Sequence, residues 1–415
     1  MSTFQEVANQ KSYTQLKEAL EGHNLVCKEN KSDNRTIIKH HTTTELLDLS
    51  NLKGVIFDRE TMTQITPAVP VPVEVTCENR DQVLEQLKTQ EVSHYYHLVD
   101  GVMFRFYWYN DQWCFSTNGM ITANRGWRGN QTFIELLQQT LSQPTYVTLL
   151  DELDKQYCYY FILTHPQHHN VVAYSESTLT LTRIVRQDTF SLLTLTEMQE
   201  AIKDLTSISS PWLTTEDVEP LIGSPEMLVA VERPVTPDSV GYQVVTVTGQ
   251  IYRFESASFM AAKKLRGNIA DIRQIWIQKN VRDNSECQDR YLRYYPSDQH
   301  IFTDMASRFN RLVRTFYSQY GRRFKQSKRV SHHSRHVKSM NQLHQIYKDR
   351  RASGKANNTA HITEADVHNF LNSKPDKELF YLINPNNVPS THGKSSELLN
   401  SSLVKTYELK LGETS

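Results

Sequence analysis

The sequence is poor in cysteine: Cys27, Cys77, Cys114, Cys158 and Cys287 are the five in 415 residues. They are odd in number and never spaced C-x-x-C. That excludes a disulfide framework and a cysteine-rich zinc site, and it fits a reducing compartment. Glycine and proline, at 14 each, are too scarce for collagen or low-complexity chains. No run of about 20 apolar residues occurs, so no spanning helix and no membrane partner are expected. The first residues, Met1 to Glu6, lack the basic start and apolar core of a secretory signal, so the expected location is cytoplasmic. An excess of one charge is missing too, since 46 Lys and Arg meet 46 Asp and Glu.

That balance is uneven along the chain. Residues 1–300 carry 27 basic and 37 acidic side chains, whereas residues 301–356 carry 14 basic and 2 acidic. An acidic body with a basic segment points to nucleic acid or an acidic partner at that segment. The alternative is a basic face that docks on the acidic body of the same chain. The length, at roughly 100–200 residues per domain, predicts two or three domains.

Aromatic and β-branched runs at 94–99, 102–109 and 113–117 read as strands, with Asn110-Asp111 as the turn between the last two, and the strands at 94–99 and 102–117 are expected to be adjacent and antiparallel. Further strands are expected at 157–164, 171–174 and 179–185, with a surface bend through His165, His168 and His169, and a hairpin at 242–254. Short helices are expected at 12–22, 80–90, 133–141, 198–205 and 257–266. From 303 onward Met305, Phe309, Leu312, Val313, Phe316, Tyr317, Tyr320 and Phe324 follow a helical rhythm, with arginines on the remaining positions. A second helix follows through Val337, Met340, Leu343 and Tyr347. Thr363 and Asp366 stand at capping-box spacing before a third. Strands with intercalated helices and an all-helical end give an α+β class with an added helical domain. The expected divisions are an N-terminal helical segment at 1–39, an antiparallel-sheet domain at 40–275, a basic helical domain at 300–375 and a tail at 376–415.

One order of segments carries more. Lys53-Gly54-Val55-Ile56-Phe57-Asp58 is followed by Leu98-Val99-Asp100-Gly101 and by Phe115 through Ile121. Tyr160 through Pro166, Val240-Gly241-Tyr242-Gln243 and Tyr252-Arg253-Phe254-Glu255-Ser256 come after. Over about residues 40–270 this order resembles the bacteriophage-type ATP-dependent RNA ligases of the covalent nucleotidyltransferase superfamily. The resemblance implies an antiparallel-sheet adenylation fold. It also implies a lysine in a K-x-D-G motif that attacks the α-phosphate of ATP, a glutamate in an E-G motif, and a K-x-K pair that neutralises the triphosphate. An activated lysine and fixed charges are what nucleotidyl transfer requires.

The frame is kept and the charges are lost. The nucleophile position is Leu98, while Asp100 and Gly101 remain. The E-G glutamate position is Val240 with Gly241 kept, the K-x-K positions are Arg253 and Glu255, and the mid-chain glutamate position is Ile162. Lys53, Asp100, Gly101 and Gly241 are therefore a nucleotide-binding remnant. Lys53 corresponds to a phosphate contact in the family, and His97, next to Leu98, faces the other way along its strand. No cofactor and no metal are expected. The expectation is a degenerate, catalytically inactive RNA-ligase-like protein that binds RNA or scaffolds a nucleic-acid-processing complex with other proteins. Its RNA contacts would be Arg311, Arg314, Arg322, Arg323, Lys325, Lys328 and Arg329. One alternative is an active ligase with divergent catalytic residues that uses ATP and Mg. The other is a structural or assembly protein that inherited the fold. The phage and large-virus members of the family make a virion or viral factory a natural setting.

Overall fold

The computed structural model describes residues 12–21, 25–40, 52–68, 71–76, 78–126, 131–141, 143–205, 208, 212–213, 227, 229–282, 285–326, 334–353 and 361–384. The chain divides into two compact units, 1–265 and 266–415. The first is built on three sheets and the second is helical, which is the α+β architecture with a helical end that the sequence implies.

In the first unit helix α1 (Tyr13–Glu21) precedes strands β1 (Leu25–Glu29), β2 (Arg35–His40), β3 (Ile56–Asp58) and β4 (Gln64–Thr66). These four form one antiparallel sheet in the order β1-β2-β3-β4. The segment expected as an N-terminal helical one therefore holds a helix and two strands. Ile37 and Ile38 are both fully buried on opposite faces of β2, because Ile38 packs with α1 while Ile37 packs with β7. A strand covered on both faces shows no alternation, which is why it was not visible as a strand.

Next come β5 (Val73–Val75), α2 (Arg80–Thr89), β6 (Val92–His97), β7 (Val102–Tyr109), β8 (Gln112–Thr117), α3 (Phe133–Thr140), α4 (Gln143–Glu152), β9 (Tyr157–Thr164), β10 (Thr178–Arg186) and α5 (Leu195–Ala201). Strand β11 (Trp212–Leu213), β12 (Gly241–Thr246), β13 (Ile251–Glu255) and α6 (Ala257–Arg266) complete the run. One sheet has the order β10-β9-β7-β8 and the other β11-β6-β12-β13-β5, all antiparallel except the β13–β5 pair. Helices α3, α4 and α5 supply Phe133, Leu136, Leu137, Leu149, Leu150 and Met198 to a core with Phe104, Phe106, Tyr159 and Phe161. Thr132 and Thr194 begin α3 and α5 with capping boxes closed by Glu135 and Glu197, which satisfy the orphan amides at each start.

Two expectations are corrected here. The strands at 94–99 and 102–117 are not neighbours: β6 belongs to the five-stranded sheet, and β7 and β8 to the four-stranded one. The chain changes sheet between Leu98 and Gly101. Residues 171–174 are not a strand but part of the loop between β9 and β10. The backbone N–H groups of Val171 and Val172, which a ladder would have used, donate instead to the Asp100 carboxylate at 2.7 and 2.8 Å.

That carboxylate also accepts from the Asn170 side chain at 2.9 Å, while the Tyr174 hydroxyl accepts the Asp100 N–H at 3.0 Å. Next to it, a Cβ on Gly101 would lie 2.4 Å from the Leu163 carbonyl oxygen and 2.6 Å from Ile162 Cγ2, so only glycine passes β9 this closely. Asp100→Ala leaves two buried N–H groups without an acceptor, at roughly 1–3 kcal/mol each. It should cost about 2–6 kcal/mol in urea unfolding, and Asp100→Asn, which keeps one acceptor oxygen, should cost less. Equal stability of wild type and Asp100→Ala would contradict the clamp.

The second unit contains α7 (Ile272–Trp276), a π-helical turn at Ile277–Arg282, α8 (Ser285–Tyr294), the long α9 (Gln299–Tyr320) and a π-helical turn at Gly321–Lys325. Helices α10 (Ser334–Ala352), α11 (Glu364–Asn372) and α12 (Asp376–Ile383) follow. Helix α9 buries Phe302, Met305, Phe309, Leu312, Val313, Phe316 and Tyr320 on one stripe, as its rhythm implies. Tyr317 falls off that stripe and is 36% exposed. The capping box of Thr363 and Asp366 opens α11, and Arg350 of α10 reaches the same carboxylate at 2.5 Å. The guanidinium, with the Thr363 amide and hydroxyl, holds the Asp366 carboxyl well below the ordinary range against the opposing effect of burial.

Candidate functional site

The positions that differ from the ligase pattern lie far apart in sequence and meet in space. The Leu98 N–H donates to the Gly241 carbonyl at 2.9 Å, which extends the β6–β12 ladder. Gly241 has φ +136, and a Cβ there would lie 2.0 Å from the Phe254 carbonyl oxygen and 3.1 Å from the Glu255 Cα. The Val240 carbonyl accepts the Ser256 N–H at 2.9 Å. Gly101 closes the circle by pressing on Ile162. Leu98, Ile162, Val240 and Glu255 are thus gathered around the place where the chain changes sheet, and Arg253 stands two residues before Glu255 on the same face of β13.

The chemistry gathered there is apolar or neutralised. Leu98 and Val240 are 7% and 1% exposed, so the former is packed and not presented to an open cleft. Glu255 is nearly buried and accepts both a 2.7 Å and a 3.0 Å bond from Lys263 of α6. Arg253 lies 3.9 Å from Glu255 and 3.3 Å from Glu74 of β5. Two cations and two carboxylates make a quartet without net charge. Burial raises the Glu74 carboxyl, an effect the Arg253 and Lys263 cations oppose. Lys53 is exposed and has no ion pair among the described residues. Its neighbour Gly54 has φ +80 and offers its carbonyl to Arg105, a fully buried guanidinium that also bonds Thr66, Pro67, Ser116 and Thr117.

Residues that the sequence did not single out fill the space facing β6 and β12. A bulge in β10 sets Leu181 opposite Phe161 and Arg183 opposite Tyr160, with Thr182 as the extra residue. Without it Arg183 would share the face of Leu181. With it, Arg183 joins Tyr160 on the other face, its guanidinium 5.9 Å from the Tyr160 ring centroid. The Tyr96 hydroxyl donates to Gln243, and His94 stacks on Tyr96 at 6.0 Å. The available signal was a polar residue in the inward phase of an otherwise apolar strand: Gln243 within Tyr242-Gln243-Val244-Val245 is one. The bulge hid Arg183 from any such phase argument. His165 and His168, expected on a surface bend, are each 7% exposed, and His168 meets Phe133 edge-on at 5.4 Å.

A nucleotide with its metal needs cations for the phosphates and carboxylates for the ion. Among the described residues no three His, Cys, Asp or Glu side chains group as metal ligands. The carboxylates at the convergence are already engaged, Glu255 by Lys263, Glu74 by Arg253 and Asp100 by the loop after β9. These residues do not fit ATP and Mg.

In the helical unit Arg311, Arg314 and Arg322 are exposed and Arg323 is half-buried, its guanidinium 5.1 Å from the Phe324 ring centroid. Lys325 is exposed. None of these five has an ion-pair partner among the described residues, whereas Arg308 on the same helix pairs with Asp304 at 2.7 Å. Lys328 and Arg329 lie outside the described residues. No helix among the described residues is long and apolar enough to cross a membrane.

No protein-family model matches the chain. Two curated proteins of African swine fever virus, each named "Putative RNA-ligase", are similar to part of it. That of isolate Pig/Kenya/KEN-50/1950 is 28% identical over 145 residues, covering 28% of this chain and 29% of that protein. That of isolate Tick/Malawi/Lil 20-1/1983 is 28% identical over 140 residues, with the same coverage of 28% and 29%. The match therefore spans less than a third of the length of these relatives. Among solved structures, Naegleria gruberi RNA ligase with PPi aligns at a TM-score of 0.36 and 15% identity, covering 55% of this chain and 65% of that one. A variant of the same ligase with AMP and Mn aligns at 0.35 and 14%, covering 47% and 58%. Over the stretch matched, the chain is similar to these two viral proteins.

The His94 imidazole gives a pH test of the packed space. Burial, with the Arg183 guanidinium adding to it, holds His94 down to about 4 from an ordinary 6.5. As pH falls below 6.5 the unfolded chain takes up this proton before the folded chain does, so stability drops between pH 6.5 and 4 and this loss ends below about 4. The window amounts to about 3 kcal/mol at roughly 1.4 kcal/mol per pH unit. His94→Gln should lose that share of acid destabilisation, measured as urea midpoints at pH 7 and pH 4.5. Parallel pH dependences in wild type and variant would contradict a buried neutral His94.

Proposed function

We infer that this protein is an RNA-ligase-like protein that does not adenylate and that binds RNA through its basic helices. The observation that carries the first half is the convergence itself. The place where a ligase gathers a nucleophilic amine and unpaired cations holds Leu98, Val240 and a quartet of Glu74, Arg253, Glu255 and Lys263 closed on itself. An amine is needed to attack a phosphate, and free cations are needed to hold it. The Asp100-Gly101 and Gly241 remnants have structural duties that explain their retention without a nucleotide. The support for the second half is the row of exposed cations without ion pairs on α9 and the turn after it.

Restoring one residue should not restore activity. Leu98→Lys introduces an amine, but the Glu255 carboxylate and the neutral quartet stay, so no AMP adduct should form on incubation with labelled ATP. An adduct on the introduced lysine would show that the remaining site is competent.

Four to six phosphate contacts with a single strand give a log–log salt slope of about −3 to −4, at roughly −0.7 per phosphate. Charge reversal at Arg311, Arg314, Arg322 and Arg323 should weaken binding to all RNA sequences alike, because phosphate contacts carry no sequence information. Salt-insensitive or absent binding of single-stranded RNA by wild type would remove this reading. Lower thermal stability with unchanged RNA affinity in the reversed variant would assign the arginines to internal packing instead.

A further inference from the structure

The cations after α9 lie beside a stack of aromatic rings that the helical stripe leaves half-buried. Phe324 lies on the imidazole of His344 with ring centroids 3.9 Å apart and planes 6° from parallel. His344 in turn stacks with Tyr347, one turn further along α10, at 5.6 Å and 19°. Tyr320, at the end of α9, fixes the middle ring by a 3.2 Å hydrogen bond between its hydroxyl and His344 Nδ1. Tyr320 is buried, whereas Phe324, His344 and Tyr347 are each half-buried and keep part of their ring surface in solvent. A core contact would have buried all three. A purely charged surface would have had no reason to stack them.

The charge around the rings has one sign. The Arg323 guanidinium sits 5.1 Å from the Phe324 ring centroid, and Arg323 and Lys348 both act on His344, whose imidazole burial and these two cations hold below its ordinary value. Arg322, Lys325 and Lys348 are exposed and have no ion pair among the described residues. The nearest acid along α10, Asp349, accepts a 2.8 Å bond from Gln345 on the adjoining side of the helix. A half-buried stack of rings beside unpaired cations offers the two parts a single-stranded nucleic acid requires. The rings take the π-faces of the bases and the cations take the phosphates.

We propose that the Phe324–His344–Tyr347 stack is a platform that a base of single-stranded RNA extends at its Tyr347 end, with Arg322, Lys325 and Lys348 on the flanking phosphates. This rests on the RNA-binding reading above and adds to it the place and the mode of contact. A duplex keeps its bases stacked on one another and would meet only the cations. Single strands should therefore be preferred at equal salt, and no base sequence should be strongly favoured.

The test uses the full chain with labelled oligo(U) and oligo(A) RNA and a hairpin of equal charge, at two salt concentrations. Tyr347→Leu keeps apolar bulk and removes the terminal π-face, and Phe324→Leu removes the ring that holds His344 and Tyr347 in the stack. Each should lower single-strand affinity by about 5- to 150-fold, the range expected for one lost base stack. The salt slope should stay unchanged, since no phosphate contact is removed. Tyr347→Trp should keep the affinity, and its added fluorescence should be quenched by the single strand. If both leucine variants bind like wild type, or if the Tyr347→Trp signal is insensitive to RNA while RNA is bound, the platform is wrong and charge-only binding remains. If wild type binds no single strand at all, the RNA-binding reading falls and the platform with it.

Discussion

The Asp100 carboxylate stands where the chain passes from the five-stranded sheet to the sheet of β7 to β10. It holds the loop after β9 by two backbone amides and the Asn170 side chain. Beside it, Gly101 passes β9 with no space for a Cβ. Leu98, three residues earlier, is tied by its N–H to Gly241, and Gly241 is pressed against Phe254. A displacement at this crossing would therefore be felt by β6, β9, β12 and β13 together. The aspartate and the two glycines that the chain shares with the ligase pattern are the residues whose geometry the two-sheet arrangement needs.

The positions that depart from the pattern are those whose work in a ligase would be chemical. Leu98 and Val240 contribute packing, and Glu255 contributes an ion pair with Lys263. A buried carboxylate without that lysine would be costly, so Lys263 and Glu255 are coupled. Arg183, aimed inward by the β10 bulge, adds a cation to this interior, but aromatic rings and buried polar side chains surround it. Retained backbone geometry with dispersed charge is the physical difference between a nucleotide site and a packed sheet junction.

Much of this was legible in the sequence where local chemistry is strong. The long helix through Phe316 and Tyr320 and the box of Thr363 and Asp366 were readable from spacing, and so were the hairpin at 242–254 and the strands at 102–117. Strand pairing was not, because adjacency in sequence does not decide which sheet a strand joins, and the turn-like Asp100-Gly101 is a sheet crossing. Residues 171–174 look like a strand by composition, yet the amides of Val171 and Val172 serve Asp100. Nor could Lys263 be assigned to Glu255, or Arg183 to the inward face, since a helix start and a bulge set those positions. The stacked rings of Phe324, His344 and Tyr347 were hidden for the same reason: they come from two elements whose meeting no periodicity encodes.

The reading proposed for the junction around Leu98 is a ligase-like frame that does not adenylate. Incubation of the wild-type chain with ATP labelled at the α-phosphate and a divalent metal, followed by a denaturing gel, tests it most directly. The account predicts no label on the protein at any metal concentration. A labelled band that survives denaturation and maps to a lysine would contradict it.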